Sequence, residues 1–140
     1  MRTVTKLRRP KTPLLAVDCV VVDKKRNVLL IRRKNSPFKG SYALPGGFVR
    51  IGEDVEKACL RELKEETRIN AKDLRLVGIY SDPHRDPRGH VCSVSFLCLK
   101  YKNSPRAGSD AVDVLWTDRW DKLNLGFDHK KIISDAMALL

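Results

Sequence analysis

One stretch constrains this chain more than any other: residues 53–67, EDVEKACLRELKEET, form the only convincing long helix, and β-branched runs lie on both sides of it. Before it, LLAVDCVVVD (14–23) and NVLLIRR (27–33) are separated by the polar turn KKR, which predicts a hairpin. The intervening YALPGGFVRIGED has the glycine and proline content of tight turns. After it, LRLVGIYSD (74–82), VCSVSFLCLKY (91–101) and AVDVLWTD (111–118) read as strands, and HKKIISDAMALL (129–140) as a closing amphipathic helix. Strands on both sides of a central helix, with a second helix at the end, predict an α/β fold: a mixed β-sheet between helices.

The central helix carries its charges in an unusual place. With Glu62 at zero and about 100° per residue, Val55 falls at roughly +20°, Ala58 at roughly −40°, Cys59 at roughly +60° and Leu63 at roughly +100°. Glu62, Glu65 and Glu66 share one side of the helix, and Glu62 and Glu66 continue the apolar stripe instead of opposing it. Lys57, Arg61, Lys64 and Arg68 gather opposite, where a solvated face is expected. Carboxylates at the edge of a core repel one another and lose hydration, so they call for a compensating cation. An oxygen-only set favours Mg²⁺ or Mn²⁺ over zinc. Magnesium held by carboxylates is usually shared with substrate phosphates, where it neutralises charge and acidifies water.

A chain of 140 residues makes one domain, 1–140, with residues 1–12 as a basic N-terminal arm rather than a secretory signal. No apolar run approaches the roughly 18 residues of a membrane span. Cys19, Cys59, Cys92 and Cys98 form no CxxC pair and read as buried thiols, which places the chain in a reducing, cytoplasmic compartment. The formal net charge of +11 attracts polyanions. The basic residues are dispersed and aromatics are few, so a small phosphorylated molecule is favoured over nucleic acid. Monomer and homodimer are both open.

The segment GFVRIGEDVEKACLRELKEETRI, from Gly47, resembles the signature of the Nudix hydrolases, with Arg68 where the family pattern has glycine. The resemblance implies the Nudix α/β/α sandwich and hydrolysis of a nucleoside diphosphate linked to another group. It also implies that Glu62, Glu65 and Glu66 bind Mg²⁺ (or Mn²⁺), with the Gly46 carbonyl as a further ligand. Glu53 would be a ligand or water-orienting group at the loop-to-helix junction, or else a carboxylate favoured by the helix dipole. Arg61 would hold the acidic residues by ion pairing, or only pair with Glu65 at i,i+4. Arg68 either adopts the left-handed conformation or lets the helix run on toward Asn70.

The substrate has to be read elsewhere. NSPFKGSYALPGG, YSDPHRDPRGHVCSVSF and FDHKK resemble the ADP-ribose pyrophosphatase branch, which implies cleavage of ADP-ribose to AMP and ribose 5-phosphate. Arg33, Arg85 and Arg88 are the candidate phosphate ligands, since guanidinium forks match phosphate oxygens. Asp110 is the candidate general base by similarity. His84, His90 and His129 lack metal spacing and read as hydrogen-bonded histidines, with His129 capping or orienting the last helix. Two other readings stay open: a mutator-type hydrolase of oxidised nucleoside triphosphates, and a non-catalytic Nudix module that senses a nucleotide or binds nucleic acid.

Overall fold

The computed structural model describes residues 8–108 and 111–140. The elements follow in the order β1 (Leu14–Val21), β2 (Val28–Arg33), β3 (Tyr42–Ala43), β4 (Gly46–Phe48), α1 (Val55–Thr67), β5 (Asn70–Ala71), β6 (Arg75–Tyr80), β7 (Val91–Cys98), β8 (Tyr101–Lys102), β9 (Ala111–Thr117), a short 3-10 turn (Trp120–Lys122) and α2 (His129–Met137). No helix among the described residues is long and apolar enough to cross a membrane.

Strand β1 lies at the centre because its residues are buried on both faces. Val17, Cys19 and Val21 pack against Ala58, Cys59 and Leu63 of α1. Val20 shares the opposite cluster with Ile132, Ile133 and Ala136 of α2. A strand covered twice reads as a continuous apolar run, as LLAVDCVVV does. It pairs in parallel with β7 and antiparallel with β4, giving the mixed order β4-β1-β7-β6. A separate antiparallel sheet has the order β3-β2-β9, and β5 and β8 form a small ladder. The expected sandwich of helices around strands is present, with its strands divided between sheets.

The predicted β1–β2 hairpin is corrected. Its turn exists: the Asp23 amide donates to the Asn27 carbonyl at 3.0 Å, and the Asp23 side chain accepts from the Lys25 and Asn27 amides. Only Val22 and Val28 then bridge. Beyond them the strands diverge, because β4 and β7 occupy both edges of β1 while β3 and β9 occupy both edges of β2. Local turn chemistry identifies the reversal but not the ladder partner.

Helix α1 starts after Asp54, whose side chain accepts from the Lys57 amide at 2.8 Å, so Glu53 precedes it. It ends on Arg68 at φ 66°, the first of the two expected conformations, with the Arg68 amide donating to the Lys64 carbonyl at 2.9 Å. Cys19, Cys59 and Cys98 are buried thiols, whereas Cys92 is only half-buried.

Candidate active site

The inward direction of the helix carboxylates is real. Glu66 is 5% exposed, and one of its oxygens accepts from the Gly46 amide at 3.2 Å. Glu62 is mostly covered, whereas the Glu65 side chain is 43% exposed and stands at the rim. Two glycines make this approach possible. A Cβ on Gly46 would stand 2.2 Å from the Val17 carbonyl oxygen, and one on Gly47 would lie 2.5–2.7 Å from the Glu62 carboxylate. Strand β4 can therefore lie between β1 and the acidic side of α1 only without side chains at these positions.

Arg61 leaves the solvated face that periodicity gives it and pairs with the acidic residues, as the family resemblance implies. Its Nε and Nη2 donate to the two Glu53 oxygens at 2.7 and 2.9 Å, and Nη1 donates to Glu62 at 2.7 Å and Glu65 at 3.4 Å. Nη2 also reaches the Phe48 carbonyl at 3.1 Å. One guanidinium fork thus ties the segment before α1, two turns of α1 and the end of β4 into one unit. The pairing with Arg61, supported by the Arg50 amide, holds the Glu53 carboxyl at about 2. The same partners raise Arg61 above its ordinary value, with the Glu53 hydrogen bond the main cause. Arg50 adds a longer pair to Glu65 at 3.9 Å.

The donor set is chemically suited to a hard divalent cation. Three carboxylates (Glu53, Glu62 and Glu65) meet Arg61, one of them also the exposed Arg50, and Glu66 lies beneath the Gly46 amide on the same side of α1, so acids outnumber bases four to two. All the available ligand atoms are oxygens. Among the described residues no three His, Cys, Asp or Glu side chains already stand at enclosing distance, so the set offers donors without a closed cage.

Glu62 and Glu66 line a cavity of about 310 Å³ together with Gly46, Gly47, Asp18, Arg33, Arg85, Arg88, Phe48, Phe127 and His129. The three arginines predicted to meet phosphate are thus on its wall, in different conditions. Arg85 has a 4% exposed side chain and is committed to Asp128 through bonds of 2.9 and 2.6 Å, with Asp18 at 3.7 Å. Arg88 is half-exposed and forked onto the buried Asp86 at 3.1 and 2.8 Å. Arg33 donates from Nε to the Pro37 carbonyl at 2.6 Å. Asp110 lies outside the described residues.

The cavity floor holds a polar network that pattern reading did not assign to the site. Asp18 is the single acid in the apolar run of β1, and it is buried. It accepts from Ser93 Oγ at 2.5 Å and lies 3.2 Å from His129 Nε2. The Leu44 amide donates to His129 Nδ1 at 2.9 Å, so the ring proton belongs on Nε2, facing Asp18. Burial pushes the Asp18 carboxyl up, but His129, Ser93 and Arg85 outweigh it and hold it below the ordinary aspartate range. His129 thus tethers α2 to the strands. The signal was present in the sequence, as one carboxylate inside an otherwise apolar central strand.

A carboxylate helix thus lies beneath a glycine strand, inside a helix–strand–helix sandwich. The chain belongs to the Nudix family: the NUDIX domain matches residues 12–136, and the protein is a Nudix hydrolase. It is 48% identical over 136 residues to an ADP-ribose pyrophosphatase of Methanocaldococcus jannaschii, across 97% of this chain and 80% of that one. It is 35% identical to the ADPR responsive transcriptional repressor NtrR of Acinetobacter baylyi, over 92% of this chain and 55% of the repressor. The solved NUDIX domain of Shewanella oneidensis NrtR, complexed with ADP ribose, matches with a TM-score of 0.85 at 31% identity, covering 92% of this chain and 89% of that one.

Proposed function

We propose that this Nudix hydrolase cleaves the pyrophosphate bond of ADP-ribose to give AMP and ribose 5-phosphate, with Mg²⁺ (or Mn²⁺) as cofactor. The observation that carries this reading is the pair Glu62 and Glu66, turned inward beneath Gly46 and Gly47 in a cavity whose wall also bears Arg33, Arg85 and Arg88. The identity to a known ADP-ribose pyrophosphatase supports the choice of substrate.

Glu62, Glu65, Glu66 and the Gly46 carbonyl would hold the cation. When bound, it supplies charge neutralisation and polarisation at the phosphates. Arg61 fixes the orientation of Glu62 and Glu65, and Glu53 fixes Arg61 in turn. Arg85 and Arg88 are largely neutralised by Asp128 and Asp86, so the attraction for an anionic substrate comes from the net charge of +11 spread over the chain. Asp110 is the proposed proton acceptor. The working unit is one domain, 1–140, with 1–12 as a basic arm, acting in the cytoplasm.

The test is incubation with ADP-ribose, other nucleoside diphosphate derivatives and oxidised nucleoside triphosphates, with Mg²⁺, Mn²⁺ or chelator, and identification of the products. AMP and ribose 5-phosphate, formed only with metal, are expected. Pyrophosphate released from triphosphates would point to the mutator-type activity. The ADP-ribose-bound NrtR domain favours a second reading, recognition without turnover. Tight ADP-ribose binding with no hydrolysis of any substrate would establish that reading and overturn the first.

A further inference from the structure

Three of the four phenylalanines of this chain are kept out of the core. Phe96 is buried in β7, whereas Phe38 and Phe48 are 39% and 40% exposed and Phe127 is half-buried. All three gather at the cavity that holds Glu62 and Glu66. Phe48 and Phe127 line it, and Phe38 supports Phe127 edge-on with 4.8 Å between ring centroids.

Their placement is not a local preference of the backbone. Phe38 and Phe127 adopt φ of 59° and 57°, a left-handed conformation that bulky L-residues rarely take. The surrounding chain enforces it: the Ser41 amide donates to the Phe38 carbonyl, and the Gly126 amide to the Tyr42 carbonyl, both at 2.9 Å. Gly126 admits the Phe38 ring so closely that a Cβ there would lie 3.1 Å from it. Strain of this kind persists where the surroundings over-determine it, and it gathers at ligand clamps.

Planar cations accompany the rings. The Arg88 guanidinium lies 5.1 Å from the Phe48 centroid and 5.9 Å from that of Phe127, and the Arg33 guanidinium lies 5.2 Å from Phe127. Asp86, buried beneath, grips Arg88 with two bonds and fixes the plane of its fork. Ring faces and a guanidinium plane suit a flat π-system, whereas a ribose would need hydroxyl partners. We propose that Phe48, Phe127 and Arg88 form the stacking subsite for the nucleobase of the substrate, leaving the diphosphate to the carboxylate end of the same cavity.

The proposal rests on reading the cavity as a nucleoside diphosphate site, and its test does not require turnover. AMP binding is titrated calorimetrically in the presence of Mg²⁺, using full-length wild type, Phe48→Leu, Phe127→Leu and Phe127→Tyr, with the melting temperature of each as a check on folding. Both leucine variants should weaken AMP by about tenfold or more, while tyrosine, which keeps the ring, should stay within about threefold of wild type. With ADP-ribose the leucine variants should raise KM by a similar factor and leave kcat within about threefold. Unchanged AMP affinity in both leucine variants, or equal losses in Phe127→Leu and Phe127→Tyr, would overturn the subsite. A wild type that binds AMP through these rings yet never hydrolyses ADP-ribose would uphold the subsite and refute the pyrophosphatase reading.

Discussion

Glu66 joins the fold to the proposed metal site. Its carboxylate is buried against the Gly46 amide, which glutamine can also satisfy because its side-chain carbonyl still accepts. Glu66→Gln should therefore fold normally and lose about a hundredfold or more in kcat when assayed with Mg²⁺. Glu53 makes the opposite case, since its partner is Arg61. Its folded value of about 2 lies below the roughly 4.3 of an unpaired glutamate. A depressed carboxylate contributes stability that is complete above about pH 5 and lost as the pH falls through about 2. The difference in urea midpoint between wild type and Glu53→Gln should hold constant above about pH 5 and vanish toward pH 2. The helix periodicity made the direction of Glu62 and Glu66 legible in sequence. The same periodicity placed Arg61 on the wrong face, because an arginine is long enough to reach around the helix to three carboxylates.

At the level of elements, the contact between β4 and α1 makes adjacent glycines behave differently. A Cβ on Gly46 meets backbone, the Val17 carbonyl, which cannot move without opening β1 from β4. Gly46→Ala should cost about 2 kcal/mol in chemical denaturation. A Cβ on Gly47 meets only the end of the Glu62 side chain, which can swing away. Gly47→Ala should keep its stability within about 1 kcal/mol while losing about tenfold or more in kcat, because displacing the proposed metal ligand Glu62 by an ångström is costly. The opposite ranking, with Gly47→Ala unfolding first, would show that β4 and not Glu62 bears the strain. At the end of α1, Arg68 holds a left-handed conformation that glycine adopts freely. Arg68→Gly should gain about 0.5 kcal/mol, the relief of strain less the added freedom of the unfolded chain.

The whole molecule acts through its charge and its double-sided core. A net charge of +11 surrounds a cavity with acids at one end and arginines along its wall. Raising ionic strength from about 10 mM to about 0.5 M should lower kcat/KM for an anionic substrate by about tenfold, with kcat little changed, since screening weakens the capture of substrate. A kcat that falls in parallel would place the salt effect on the carboxylate cluster instead. Packing on both faces of β1 also explains why α2 matters to the site. Ile132 and Ile133 bury α2 in the core, and that helix begins with His129, which reaches the cavity floor through Asp18.

By itself the sequence determined what periodicity and short spacing encode: one long helix, its inward carboxylates, the glycines ahead of it and a central strand apolar on both sides. These are local properties, set within a few turns or a few residues. Only the tertiary structure decided which strands pair across the sheets, that Asp18 meets His129, and that Phe48, Phe127 and Arg88 share one wall. Those contacts join residues far apart in the chain, such as Leu44 and His129, and arise from packing over the whole core rather than from any pattern in its segments.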